Sequence, residues 1–172
     1  MRSAIWQKLD RLTRLFMPLV LSFLLVILSV VQTPITGHAQ ISPVLALASI
    51  YHWVIYQPSL LPLFSVFILG LLQDLLTGTP VGLYTLVFLT VYGVALSQRR
   101  FFIGRSFIVY WFGFGVISLM ASVESWMLAS IWNWALLDFT ALAFQFIISV
   151  SMFPPLAWVC LRWQQVFLPQ DL

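Results

Sequence analysis

"GLLQDLLTGTPVG", Gly70 to Gly82, decides how this chain is read. An aspartate stands among leucines, with Gly78, Thr79 and Pro80 just behind it. An acid in hydrocarbon is costly, so Asp74 needs hydrogen-bond donors or water nearby. Gly78 suits the C-terminal cap of one helix, because Gly takes the left-handed conformation without a Cβ penalty. Thr79 and Pro80 then read as the N-cap and first position of the next. The stretch is therefore a tight helical hairpin with Asp74 beneath the turn. There the carboxylate can accept from the free amides that begin the second helix, where the helix dipole also favours negative charge.

The rest of the sequence agrees that the surroundings are lipid. Of 172 residues, 62% are hydrophobic and 8% charged, against about 25% charged in soluble domains. Mean hydropathy is +1.02. The expectation is an all-α integral membrane protein forming a single membrane domain over 1–172. Eight Trp suit interfacial belts. The net charge of +3 is no nucleic-acid signal, since basic residues at helix ends first report topology. Cys160 is the one cysteine, which excludes a disulfide framework or a Cys-rich metal site. The N-terminus also carries features of a secretory signal: a basic start, an apolar run from Leu15 to Val31, and Gly37-His38-Ala39. That run exceeds the roughly 7–15 residues of a signal core, so a retained first helix is expected.

A crossing needs about 20 apolar residues. Apolar runs cover about 15–32, 41–56, 60–76, 80–97, 107–128 and 134–161. The second is short enough to be re-entrant, and the basic residues decide. Arg2, Lys8, Arg11 and Arg14 precede the first run; Arg99, Arg100 and Arg105 follow the fourth; Arg162 follows the sixth. With six crossings all of them lie on one side, and the loops at about 33–42, 77–79 and 129–133 contain none. The excess of Lys and Arg in cytoplasmic loops therefore selects six transmembrane helices with both termini cytoplasmic. Residues 1–14 become a cytoplasmic segment, about 15–161 the bundle, and 162–172 a cytoplasmic tail.

Small and polar residues mark packed faces in a bilayer, because large apolar ones fit lipid equally well. Gly115, Ser118, Ser122, Ser125 and Ala129 form such a stripe, spaced three or four apart. Asp138, Ala141, Gln145 and Ser149 form another. Internal packing and a partner's helix both fit these stripes. Pro154-Pro155 lies inside the sixth run, where proline removes a donor and kinks a helix.

The topology puts Asp74, Glu124 and Asp138 in the outer half of the membrane, with no basic residue to pair with them. Three readings stay open. Each acid is solvated or caps a helix; or they surround an outward cavity for a polar or cationic ligand; or they contact a partner. Asp10 and Asp171 read as solvated. No catalytic residue is assigned: paired carboxylates can do acid–base chemistry, but no His or Cys groups with these in sequence, and the serines beside Glu124 belong to the packing stripe. His38 and His52 are fourteen apart, one in a loop and one in a helix, and do not make a metal pair. No metal, cofactor or phosphate-binding loop is indicated.

The hairpin resembles the signature of the bacterial rod shape-determining MreD family, which shows Gly-x-x-x-Asp-x-x-x-Gly-x-x-x-Gly at such a junction. Here the positions are Gly70, Asp74, Gly78 and Gly82, with Thr79 and Pro80 between the last two. Upstream, Pro43, Tyr51 and Pro58 also match, while Val44 stands where many members carry an acid or Asn. The resemblance implies a non-enzymatic scaffold subunit of the cell-elongation machinery, multi-pass in the bacterial inner membrane. Its implied partner is the bitopic protein MreC, and through it the MreB filament and the peptidoglycan synthases RodA and penicillin-binding protein 2. Membrane lipid is a further expected contact, and homo-oligomers are compatible with it. The implied fold resembles the six-helix substrate-binding subunits of energy-coupling-factor transporters. The stripe at Gly115–Ser125 or the hairpin at Asp74–Gly82 would dock MreC. The alternative is a small-molecule-binding subunit of a transporter. Against it, the first helix lacks the small-residue face by which such subunits meet a coupling module.

Overall fold

The computed structural model describes residues 18–29, 33–36, 39–41, 45–135 and 139–167. They form six helices: α1 (Pro18–Ser29), α2 (Leu45–Tyr56), α3 (Leu63–Thr77), α4 (Leu83–Phe102), α5 (Phe107–Asn133) and α6 (Phe139–Phe167). Two short strands, β1 (Thr33–Thr36) and β2 (Ala39–Ile41), pair antiparallel between α1 and α2. A single 3-10 turn, Pro58–Leu60, leads into α3.

Helix α2 is the axis of the bundle. Every residue of it but Tyr56 is buried, with α4, α5 and α6 packed around it. Helix α1 is tied to it by serines: the Ser22 and Ser49 hydroxyls are 2.8 Å apart, and the Leu45 amide donates to Ser29 Oγ at 3.0 Å. Such hydroxyl pairs hold helices together where lipid removes the hydrophobic drive to associate.

Consecutive helices alternate in direction, and individual bonds fix this. The start of α2 meets the end of α1 through Leu45 and Ser29. Arg99 Nε, near the end of α4, donates to the Ile55 carbonyl at the end of α2 at 2.8 Å. Near the start of α5, the Tyr110 carbonyl accepts from the Tyr51 hydroxyl at 3.1 Å, and the Tyr110 hydroxyl lies 3.0 Å from His52 Nδ1. One end of the bundle thus gathers Arg99, Arg100 and an aromatic core in which Phe114 and Phe153 stack at 4.0 Å. The α3–α4 hairpin is at the other. Gly113 lets this core close, since a Cβ there would strike the Phe102 ring and come within 2.7 Å of the Tyr51 hydroxyl.

The outside of the bundle is as apolar as its core, unlike that of a protein in water. Ser22, Ser29, Ser49, His52, Gln73, Asp74, Ser118 and Ser149 are buried, while Phe64, Phe112, Val116, Ile131 and Trp132 are each at least 67% exposed. An apolar outside, with the polar side chains kept inside among apolar ones, is the arrangement a lipid solvent selects. Two helical stretches, Phe107–Asn133 and Leu142–Arg162, are long and apolar enough to cross a bilayer, whereas α2 and α3 are shorter. Helix α6 runs through Pro154-Pro155. Pro154 cannot donate to the Val150 carbonyl one turn before it, and the Trp111 indole does so from α5 at 3.2 Å.

Element boundaries depart from the sequence reading in several places. Helix α2 starts at Leu45, not near Ile41, because Ala39–Ile41 is spent on strand pairing. Helix α4 runs on to Phe102, past Ser97, with Phe102 buried in the aromatic core. Helix α5 continues through 129–133, which had read as a loop, and stops where Trp134 turns left-handed at φ 51°.

Candidate functional site

Asp74 is fully buried in the last turn of α3. Its Oδ1 accepts from the Tyr84 amide at 2.7 Å and the Thr79 hydroxyl at 3.1 Å. Its Oδ2 accepts from the Gly82 amide at 2.9 Å, the Thr85 hydroxyl at 2.9 Å and the Thr85 amide at 3.3 Å. Three of these donors are backbone amides at the start of α4, which have no acceptor within their own helix. The α3 aspartate therefore caps α4 from a neighbouring helix. Its main chain closes α3 as well, because the Asp74 carbonyl accepts from the amides of Gly78 and Thr79.

This corrects one detail of the sequence reading. Thr79 is not the N-cap of α4, nor Pro80 its first residue. The helix begins at Leu83, after Gly82 at φ 108°. The physical reason is the carboxylate: once Asp74 collects the amides of Gly82, Tyr84 and Thr85, a local cap is redundant. Thr79 donates to the same carboxylate instead. Gly78 does take the left-handed conformation at the end of α3, with φ 68°.

Gly70 is a close helix–helix contact, as a small residue at this spacing suggests. A Cβ there would stand 2.5 Å from Thr85 Cα and 3.0 Å from its nitrogen. The α3 backbone lies directly on α4, one turn below Asp74. That approach brings Thr85 within reach of the carboxylate. Thr85 itself, with two of the bonds, was not singled out from the sequence. Its signal is positional: it lies eleven residues past Asp74, in the first turn of the next helix.

The other acids differ. Glu124 on α5 accepts one hydrogen bond, from the Thr90 hydroxyl of α4 to Oε1 at 2.9 Å. The same hydroxyl lies 3.0 Å from the Leu86 carbonyl, so its one proton is shared. Glu124 Oε2 is buried without a partner. Asp138 lies outside the described residues. Asp74 and Glu124 thus engage different groups, five residues apart on α4.

The α5 stripe also divides. Ser118 and Ser122 are buried. With Ser125 they line an interior cavity of about 10 Å³ shared with Tyr84, Gln145 and Ser149. Gly115 instead faces outward, into an apolar groove between α5 and α6 of about 320 Å³.

A bundle with an apolar outside, spanning-length apolar helices and one acid fully satisfied at a helix junction is that of a helical membrane protein. The chain belongs to the rod shape-determining protein MreD family, whose model matches residues 9–163. Its role therefore lies in rod shape determination. No curated protein and no solved structure matches the chain.

Proposed function

We propose that this protein is a non-enzymatic scaffold subunit of the cell-elongation machinery. It binds MreC and so links MreB filaments to peptidoglycan synthesis by RodA and penicillin-binding protein 2. The observation that carries this reading is the family match over nearly the whole described bundle. The use of polar groups supports it: Asp74 is consumed in joining two helices, and the α5 serines face inward. A protein built this way acts through its outer faces and short loops. The outer hairpin at Gly70, Asp74, Gly78, Thr79, Pro80 and Gly82 is one docking element for MreC; the lipid-facing side of α5 is the other.

The topology belongs to the same proposal. Six crossings in the bacterial inner membrane, both termini cytoplasmic, follow from the basic residues and are supported by the alternation of helix directions. The fold is proposed to resemble that of energy-coupling-factor substrate-binding subunits. Helix α2, with 12 residues, measures about 18 Å, less than the hydrocarbon thickness. Every residue of it but Tyr56 is buried, so its flanks meet protein rather than lipid. A reporter active only outside the cytoplasm gives no signal when fused at Gln98 and a strong one when fused at Thr79. Strong activity at Gln98 would overturn the topology. As a functional test, expression in rod-shaped cells depleted of their own family member restores rod shape; persistent rounding at normal protein level counts against the scaffold reading.

Among the described residues, the cavity at Ser118, Ser122 and Gln145 is about 10 Å³, room for about one water molecule, so that site does not hold a transporter's small-molecule cargo.

A further inference from the structure

The outer face of α5 carries two adjoining apolar grooves. The first, against α6, is lined by Trp111, Gly115, Val116, Leu119 and Val150. The second continues from Val116 and Leu119 past Val123, Glu124 and Met127 to Ile131, with a volume of about 650 Å³. Together they run from Trp111 to Ile131, about 30 Å at the helical rise. That equals the thickness of the hydrocarbon core. Lipid chains from the two leaflets cover that length as well as a transmembrane helix does, but only a helix can carry a donor side chain to an acid in the wall.

Glu124 stands in the wall of this groove. Asp74 has five donors, but Glu124 has a share in one hydroxyl proton, and its Oε2 has no partner. Ionised or protonated, a carboxyl group has more bonding capacity than this site supplies. Among the described residues no cation meets it. Arg99 and Arg100 lie at the opposite end of α4. Glu124 lines the groove, and because the terminal torsion of glutamate is broad, turning it presents a carboxylate oxygen to the groove at the expense of the Thr90 bond. An acid left half-satisfied in an apolar wall calls for a donor from outside the chain.

We propose that the groove from Trp111 to Ile131 seats one transmembrane helix of a partner protein, and that this helix presents a hydrogen-bond-donating side chain to Glu124. The close approach is made at Gly115, where a Cβ-free backbone leaves the groove open. The inference rests on the scaffold reading above and names the surface and chemistry that the scaffold uses.

The test is photo-crosslinking in native membranes. A photoreactive residue replaces Leu119 or Met127, which are 48% and 52% exposed, or Phe64 on α3, 69% exposed, as control. Adducts are mapped by peptide mass spectrometry. Leu119 and Met127 are expected to give adducts with one spanning helix that carries a donor side chain, and Phe64 none with that helix. Glu124→Leu lowers the adduct yield at least fivefold, while Glu124→Gln, which keeps an acceptor, retains at least half. The apparent Tm of the purified Glu124→Leu protein stays within about 2 °C of the parent, since few internal bonds are lost. Adducts with lipid alone, or protein adducts indifferent to Glu124→Leu, overturn the proposal. If MreC still copurifies with Glu124→Leu while the groove gives no protein adduct, the groove assignment fails and the scaffold reading stands. If MreC fails to copurify with the parent chain, the scaffold reading fails first.

Discussion

Asp74→Ala is expected to be the most damaging single substitution in the described bundle. It strands three backbone amides and two hydroxyls in a buried junction. Each buried donor left unpaired costs about 1–3 kcal/mol, and water entering at the bundle's end recovers part of that. A net loss of about 3–5 kcal/mol follows, similar to the breaking of a buried ion pair. For a chain of this size that is a fall of roughly 10 °C in apparent Tm, measured by thermal unfolding in detergent. Asp74→Asn keeps one acceptor oxygen but points an amide at the remaining donors, so its loss is smaller, about 1–3 kcal/mol. A change below about 1 kcal/mol for Asp74→Ala would show that the carboxylate does not hold the hairpin. An Asp74→Ala protein that is stable, binds MreC and supports rod shape would remove the hairpin from the functional proposal.

Gly70→Ala acts on the same junction from below. The new Cβ would meet Thr85 Cα at 2.5 Å, and backbone cannot swing aside as a flexible side chain can. The helices must part, at an overpacking cost of about 1–3 kcal/mol. Parting them draws Thr85 away from Asp74, so the two substitutions damage one set of bonds. The Gly70→Ala/Asp74→Ala double variant is therefore expected to lose about 1 kcal/mol or more less than the sum of the singles. Strict additivity would mean that the glycine contact and the carboxylate cap are independent.

The hairpin was legible from sequence because each of its features is local. Gly78, an acid among leucines, and a Pro after Thr carry their chemistry in their order. What escaped was a result of distance. That Asp74 takes amides at the start of the next helix was read correctly, but no local pattern shows that it reaches as far as Tyr84 and Thr85, and that reach moved the start of α4 to Leu83. Gly113 was overlooked for Gly115, since a small residue's purpose depends on what faces it. Gly113 faces Phe102 and Tyr51; Gly115 faces the outer groove. The serines at 118 and 122 share the stripe with Gly115, yet the helix turns them inward. The strands at 33–36 and 39–41 left no period-2 signal long enough to read.

The measurement that bears most directly on the central claim is recovery of the tagged protein from its native membranes in mild detergent, with the copurifying proteins identified. A scaffold of the elongation machinery brings down MreC, with or without the peptidoglycan synthases. Recovery instead of an ATPase pair with its membrane coupler, and no elongation protein, would contradict the account and turn attention to Glu124 and Asp138 as parts of a ligand site.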